Sequence, residues 1–139
     1  MHYIYARMLN EETIEFLVHV QPFDKLSQDE LDMISEDIML EYYPTGVKIL
    51  AQNGPPSEYL RLIKKGAVKV SLVSKDDEEI VIDYRSEGEQ FGLVSVISGD
   101  RSRANVVAVE DTICYLIAKE KITSLFQSNA EVNEHFMRS

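Results

Sequence analysis

The most informative stretch of the 139-residue sequence is residues 91–106, which read FGLVSVISGDRSRANV. Gly92 suits a tight turn, the apolar residues after it favour a short helix, and Arg103 stands just before a β-branched run. Backbone N–H groups at a helix start, together with a guanidinium, can hold a phosphate. The stretch therefore predicts a turn that binds an anion.

Short segments rich in β-branched and aromatic residues fill the sequence between Ile38 and Ala118. Turn residues such as Pro44-Thr45-Gly46 separate them, and no helices alternate with them, which argues against a parallel sheet. We therefore expect a mainly β domain, an antiparallel β-roll or jelly roll of about eight strands with helices at both ends. The clearest strand patterns are at residues 47–50, 59–63, 67–73, 79–84, 105–109 and 112–117.

Helical periodicity appears on both sides of this β region. Residues 10–20 are predicted to form a helix with Asn10 as its N-cap, and Ser27 begins a second helix through a capping box with Glu30. Near the C-terminal end, Ser128 is predicted to cap a last helix through a further capping box.

These patterns predict one domain over residues 1–139. Its parts are N-terminal helices at 1–37, a β-roll at 38–118 and C-terminal helices at 119–139. We call residues 91–105, inside the β-roll, the phosphate cassette. Because the last predicted helix has only about two turns, we expect the chain to be part of a longer multidomain protein.

Composition and charge exclude several classes of function. The net charge of −10, from 14 basic and 24 acidic residues, repels the phosphates of nucleic acids and anionic lipids, so we expect neither a nucleic acid nor a membrane as partner. No apolar run approaches the roughly 20 residues of a membrane-spanning helix. The single cysteine, Cys114, rules out an internal disulfide. We expect a cytoplasmic protein.

Catalytic and metal-binding patterns are not found in the sequence. His2, His19 and His135 lie far apart, and no cysteine or carboxylate accompanies them at ligand spacing. Cys114 falls inside a predicted strand, where a thiol is usually inert. We therefore predict that the chain is not an enzyme and has neither catalytic residues nor a metal site.

Three further motifs accompany the phosphate cassette: PTGVKI at residues 44–49, LRLIKKGAVKV at 60–70 and GEQFG at 88–92. With the order of helices and strands, they resemble the cyclic nucleotide-binding domain. That family includes the bacterial catabolite activator proteins and the regulatory subunits of cyclic-AMP-dependent protein kinase. The likeness extends from about Phe23 onward.

The resemblance implies a role for each part of the cassette. In the family a glycine lets the backbone approach the ribose, a glutamate accepts the ribose 2′-hydroxyl proton and an arginine pairs with the cyclic phosphate. The spacing of the bacterial activators aligns the arginine with Arg103, whereas the kinase spacing would align it with Ser102. The ligand-binding residues implied in this way are Gly92, Leu93, Val94, Ser95, Arg103, Ala104 and Asn105, with Val70 and Ile82 facing the base inside the barrel.

Leu93 departs from the family pattern, because it stands where the family has glutamate. Loss of a hydrogen bond to a charged acceptor costs about 1.5–3 kcal/mol, roughly a ten- to hundredfold loss of affinity. We expect weakened binding of cyclic AMP and cyclic GMP. Two interpretations stay open: the site takes another phosphate-bearing ligand, or the domain has kept its fold and lost its ligand.

A narrower likeness rests on the cassette without glutamate and on AVEDTICYLI at residues 108–117. Both resemble the N-terminal nucleotide-binding-like domain of bacterial signal-transduction proteins that continue into paired CBS domains and a nucleotidyltransferase-like domain. This likeness implies a regulatory, ligand-sensing domain that relays to a C-terminal output domain.

Two alternative functions remain. The first is a ligand-free interaction or dimerisation module, with a second copy of the chain as a candidate partner and Phe16, Leu17, Phe126 and Phe136 as its apolar face. The second is the sensor half of an activator-type transcription factor, which would need a DNA-binding segment outside this sequence.

Overall fold

The computed structural model describes residues 2–138 and divides into two compact units. One unit contains residues 39–119, and the other contains the residues up to Ile38 together with those from Glu120 onward. Among the described helices, none is both long enough and apolar enough to cross a membrane.

The first unit consists of two four-stranded antiparallel sheets. One sheet has the order β1-β8-β3-β6 and the other β2-β7-β4-β5, which confirms the predicted antiparallel jelly roll of about eight strands. The strands β1 and β6 were not recognised in the sequence, because β6 has only two residues and most of β1 is exposed on both faces. The bounds are β1 (Met39–Tyr43), β2 (Lys48–Leu50), β3 (Tyr59–Lys65), β4 (Ala67–Val73), β5 (Glu79–Ser86), β6 (Gln90–Phe91), β7 (Asn105–Ala108) and β8 (Thr112–Ala118).

The core of the roll lies between the two sheets. Side chains from both sheets form one buried cluster, so the faces that carry them are the inner faces of the roll. Burial of this apolar surface is the main stabilising contribution to such a fold. The cluster contains Tyr43, Ile63, Val68, Val70, Phe91, Val106, Ala108, Cys114 and Leu116.

Residues 2–138 contain five α-helices and one short 3-10 helix at Phe23–Lys25. Two of the predicted helix starts are wrong. Asn10 lies inside the first helix, because no glycine or proline interrupts the residues before it. Ser128 is the last residue of the fourth helix, and Asn129 caps the fifth, since its Oδ1 accepts the Val132 N–H (3.1 Å). The helices are α1 (His2–Leu17), α2 (Gln28–Ser35), α3 (Leu93–Ser98), α4 (Lys119–Ser128) and α5 (Ala130–Arg138).

The predicted capping box of α2 is confirmed. Ser27 Oγ accepts the Glu30 N–H (3.2 Å), and the Glu30 carboxylate accepts the Ser27 N–H (3.0 Å). The second bond lowers the pKa of Glu30, because it stabilises the charged carboxylate.

Part of the apolar face that the sequence suggested for docking is buried. Its residues belong to the unit that contains the N-terminal and C-terminal helices. The Phe136 ring contacts those of Phe23 (centroids 6.1 Å apart) and Phe126 (5.2 Å), and Leu17 is fully buried. The interpretation of Leu17 and Phe136 as exposed docking residues is therefore wrong, because both side chains are already buried within the chain itself.

Two glycines with positive φ provide a test of the turn geometry. Gly66 joins β3 to β4 at φ +103°, and a Cβ placed there would lie 2.5 Å from the Asp111 carbonyl oxygen. Gly46 has φ +92° with nothing within 4 Å of the same position. We expect Gly46→Ala to cost about 1–3 kcal/mol of stability from backbone strain alone. Gly66→Ala should cost more, because steric overlap adds to the strain. Urea unfolding measures both, and equal losses would contradict this account.

Candidate ligand-binding site

The phosphate cassette begins with a left-handed turn followed by a short helix, as the sequence predicts. Gly92 directly follows β6, has φ +89° and caps α3, whose first intrahelical bond runs from the Val96 N–H to the Gly92 carbonyl (3.0 Å). A second left-handed glycine, Gly99, ends the helix after six residues. The two glycines therefore set the length and the direction of α3.

The first turn of α3 offers unpaired backbone donors. The N–H groups of Leu93, Val94 and Ser95 have no hydrogen-bond acceptor within residues 2–138. The side chains of these residues differ in exposure, since Leu93 is 8% exposed and Val94 is 59% exposed. Leu93 thus contributes to the buried side of α3, and the backbone alone can offer polar contacts there.

The Ser95 hydroxyl holds the cassette together and is not available to a ligand. It accepts the Ser57 N–H (3.0 Å) and donates to the Asp100 carbonyl (2.7 Å), and Ser95 itself is buried. These bonds join α3 both to the segment before β3 and to its own following loop. Only the backbone N–H of Ser95 remains for the predicted anion contact.

The second half of the cassette ends at β7 and is anchored by buried polar groups. Asn105 Oδ1 accepts the Gln52 N–H (2.8 Å), and Ser102 Oγ donates to the Ala104 carbonyl (2.7 Å). Ser102 and Asn105 are both buried. The Ser102 hydroxyl is thus used within the cassette itself. Of the two positions that the family spacings allow for the phosphate-binding arginine, Arg103 is therefore the better candidate.

Two exposed arginines of the cassette differ in their contacts. Arg103 has no hydrogen-bond or ion-pair partner within residues 2–138. Arg101 donates from Nη1 to the Asn53 carbonyl (2.9 Å). Arg103 thus carries a positive charge that is not neutralised within the described part of the protein.

The two residues predicted to face the base have different environments. Val70 is 9% exposed and belongs to the core cluster. Ile82 is 54% exposed. It has no partner on β4, because Val70 pairs with Asp83 and the next residue, Ser71, pairs with Val81. Ile82 does not belong to the core cluster, and nearly every residue of its strand, β5, is exposed. The base contacts of Val70 and Ile82 stay a prediction.

Sequence reasoning missed Arg61, in the middle of β3. Its Nε donates to Tyr43 Oη (2.8 Å) and its Nη1 donates to Ser57 Oγ (3.1 Å). Ser57 also donates its N–H to the Ser95 hydroxyl, so Ser57 connects the Arg61 guanidinium to α3. The signal in the sequence was a charged residue inside a strand whose other positions are mostly apolar.

Buried groups near Arg61 are neutral at physiological pH. Burial raises the pKa of the Cys114 thiol to about 12 and that of the Tyr43 hydroxyl to about 12, although Arg61 opposes both shifts. Neither group is therefore a nucleophile or a base near neutrality. Within the described residues, no group of histidine, cysteine, aspartate and glutamate could hold a metal ion.

The sequence matches the family model of the cyclic nucleotide-binding domain over residues 40–129. The chain belongs to this family. Cyclic nucleotide-binding domains are regulatory rather than catalytic, which agrees with the expectation that this domain is not an enzyme. The match includes the whole phosphate cassette.

Relatives of this cyclic nucleotide-binding domain include kinases and bacterial regulators. Mouse cGMP-dependent protein kinase 2 is 32% identical over 117 residues, which are 83% of this chain and 15% of the kinase. The regulatory subunit of a cAMP-independent protein kinase A from Trypanosoma brucei has a TM-score of 0.83 at 18% identity, covering 97% of this chain and 49% of that one. The Thermus thermophilus Catabolite Activator Protein has a TM-score of 0.72 at 25% identity, covering 88% and 55%. This chain therefore spans a small part of the kinase and about half of the two solved chains.

The Ser95 hydroxyl can be tested as the anchor of the cassette. We expect Ser95→Ala to cost about 1–3 kcal/mol of unfolding free energy, because it leaves the Ser57 N–H and the Asp100 carbonyl without their partner. Ser98→Ala is the matched control on the same helix, since the exposed Ser98 hydroxyl accepts the Asp100 N–H (3.1 Å) where water can replace it, and it should cost less stability than Ser95→Ala. Urea unfolding and hydrogen exchange of the Ser57 amide measure the effect. An unchanged Ser57 exchange rate would contradict the role of Ser95.

Proposed function

We propose that this domain is the ligand-sensing part of a bacterial signal-transduction protein and binds a cyclic nucleotide or a related phosphate-bearing ligand. The observation that carries the proposal is Arg103, an exposed cation with no partner among residues 2–138, in the same cassette as the N–H groups at the start of α3 that have no acceptor in that range. The Ser95–Asp100 bond folds the loop before Arg103 back onto α3. A phosphate would bind to the N–H groups of the cassette and pair with the guanidinium.

The relatives support the class of ligand. The mouse relative is a cGMP-dependent protein kinase, and its aligned part covers 83% of this chain. A nucleotide would bring its base towards Val70 and Ile82, while Gly92 would allow the ribose to approach the backbone. Leu93 can accept no hydrogen bond from the ribose, so we expect weaker binding of cyclic AMP and cyclic GMP than the family's glutamate would allow.

Two hydrogen bonds within residues 39–119 connect the phosphate cassette to the start of α4. Ser95 binds the Ser57 N–H, and the neighbouring Glu58 carbonyl accepts the Lys119 N–H (3.1 Å), where α4 begins. A ligand that displaces α3 would therefore act on the first residue of α4. Such a change is transmitted only if the ligand binds one arrangement more tightly than the other.

The output domain is a further proposal. The likeness at residues 108–117 favours a chain that continues into CBS and nucleotidyltransferase-like domains. We propose that α4 and the residues after it relay the signal to such a domain. Transcriptional activation and ligand-free dimerisation are the two alternative functions of the domain.

The role of Arg103 is tested by isothermal titration with cyclic AMP, cyclic GMP and related nucleotides. We expect Arg103→Ala to weaken binding about ten- to hundredfold, because it removes a charge-assisted pair with the phosphate. Arg101→Ala is the matched control, since Arg101 is also exposed and lies two residues earlier. Negligible and equal heats for the parent protein and for Arg103→Ala across all nucleotides would overturn the proposed function.

The role of Leu93 is tested by Leu93→Glu, which supplies the missing acceptor. We expect the affinity for cyclic AMP to rise about ten- to hundredfold. The gain should disappear with 2′-deoxy cyclic AMP, which lacks the hydroxyl. Because both ligands are compared on the same variant, any loss of stability from a buried carboxyl cancels. Equal gains for the two ligands would contradict the ribose interpretation.

A further inference from the structure

Arg61 places a positive charge on the inner face of the roll. Its partners in register are Phe91 on β6 and Leu116 on β8, and both belong to the core cluster. Arg61 itself is half-buried. A cation in such surroundings loses hydration, and this loss must be offset by other contacts.

The described part of the protein does not neutralise this charge. Arg61 makes no ion pair within residues 2–138, and its two hydrogen bonds go to the neutral oxygens of Tyr43 and Ser57. Glu41 lies on the same face of the sheet but is exposed. Since a guanidinium has five N–H donors, three of those of Arg61 remain without a protein acceptor.

The guanidinium also lies close to the phosphate cassette. Arg61 Nη1 is 3.1 Å from Ser57 Oγ, and that oxygen would lie 3.8 Å from a Cβ placed on Gly92. Arg61 therefore approaches the start of the cassette from β3, whereas Arg103 stands near its end.

We propose that Arg61 is a second anion-binding residue of this site and makes it selective for dianionic ligands, such as phosphomonoesters, over monoanionic cyclic phosphodiesters. The inference rests on the proposed function, because it requires a phosphate-bearing ligand at the cassette. A glutamate at the position of Leu93 would lower the positive charge of the site by one and suit a single negative charge. With leucine there, both charges remain, and a dianion matches them better.

The test compares adenosine 5′-monophosphate with cyclic AMP at pH 8 by isothermal titration. The two ligands share base and ribose, but the monoester carries two negative charges above its second pKa of about 6. We expect the parent protein to bind the monophosphate at least about tenfold more tightly than cyclic AMP, since one additional charge-assisted hydrogen bond is worth this much. Arg61→Met should abolish the preference, and Arg61→Lys should keep part of it.

Lys64→Met is the matched control, because it removes a positive charge from the same strand. Lys64 lies over the Tyr115 ring (5.6 Å to the centroid), away from Ser57, so its loss should leave the preference unchanged. Thermal unfolding of each variant checks that Arg61→Met folds. A preference for cyclic AMP in the parent protein, equal losses for both ligands in Arg61→Met, or no binding of either ligand would overturn the inference.

Arg103→Ala separates this inference from the proposed function. If monophosphate binding depends on Arg103 and not on Arg61, the proposed function stands and the inference fails. Dependence on Arg61 alone would support an anion site at Arg61 and overturn the assigned role of Arg103. Dependence on both residues supports both.

Discussion

One buried hydroxyl holds together the parts on which this site depends. Ser95 binds the segment before β3 through Ser57 and the loop before Arg103 through Asp100. It acts together with the buried side chains of Leu93 and Val96, since an isolated helix of six residues is not stable in water. The geometry of the cassette is thus set by tertiary contacts and not by helix propensity.

The same serine network links the segments that carry two unlike arginines. Arg103 is exposed at the end of the cassette, while Arg61 is half-buried and bound to Tyr43 and Ser57. A domain with a net charge of −10 repels anions as a whole, so a local excess of positive charge is the condition for binding one. Family membership indicates a regulatory domain, and the proposed selectivity of its site depends on the residues that differ from the family pattern.

Predictions from the sequence were accurate where local pattern controls structure. The β4 strand was predicted with its observed bounds, and the Ser27–Glu30 capping box is present, because alternation, turn residues and caps act over a few neighbours. Errors occurred where two local signals competed. Ser128 and Asn129 are both good N-cap residues, and the length of α4 decided between them.

Leu93 illustrates a question that sequence comparison can raise but contacts must answer. The sequence identifies it as a departure from the family pattern, and the structure adds that its side chain is buried while the N–H groups of its turn have no acceptor among the described residues. The proposed phosphate contacts use backbone N–H groups, so they do not depend on which side chain stands at position 93.

The amino-acid sequence alone determined the class of fold, the position of the short helix after Gly92 and the candidate role of Arg103, since each depends on residues that are close in the chain. Only the tertiary structure decided the surroundings of Arg61 and Ile82. In a strand with one solvent face, the alternation of Leu60 and Leu62 would put Arg61 in water. Because β3 lies between β6 and β8 and opposite the second sheet, residues on both of its faces are buried, and Arg61 turns towards the core. The exposure of Ile82 likewise follows from the surroundings of its strand in the fold, since nearly every residue of β5 is exposed.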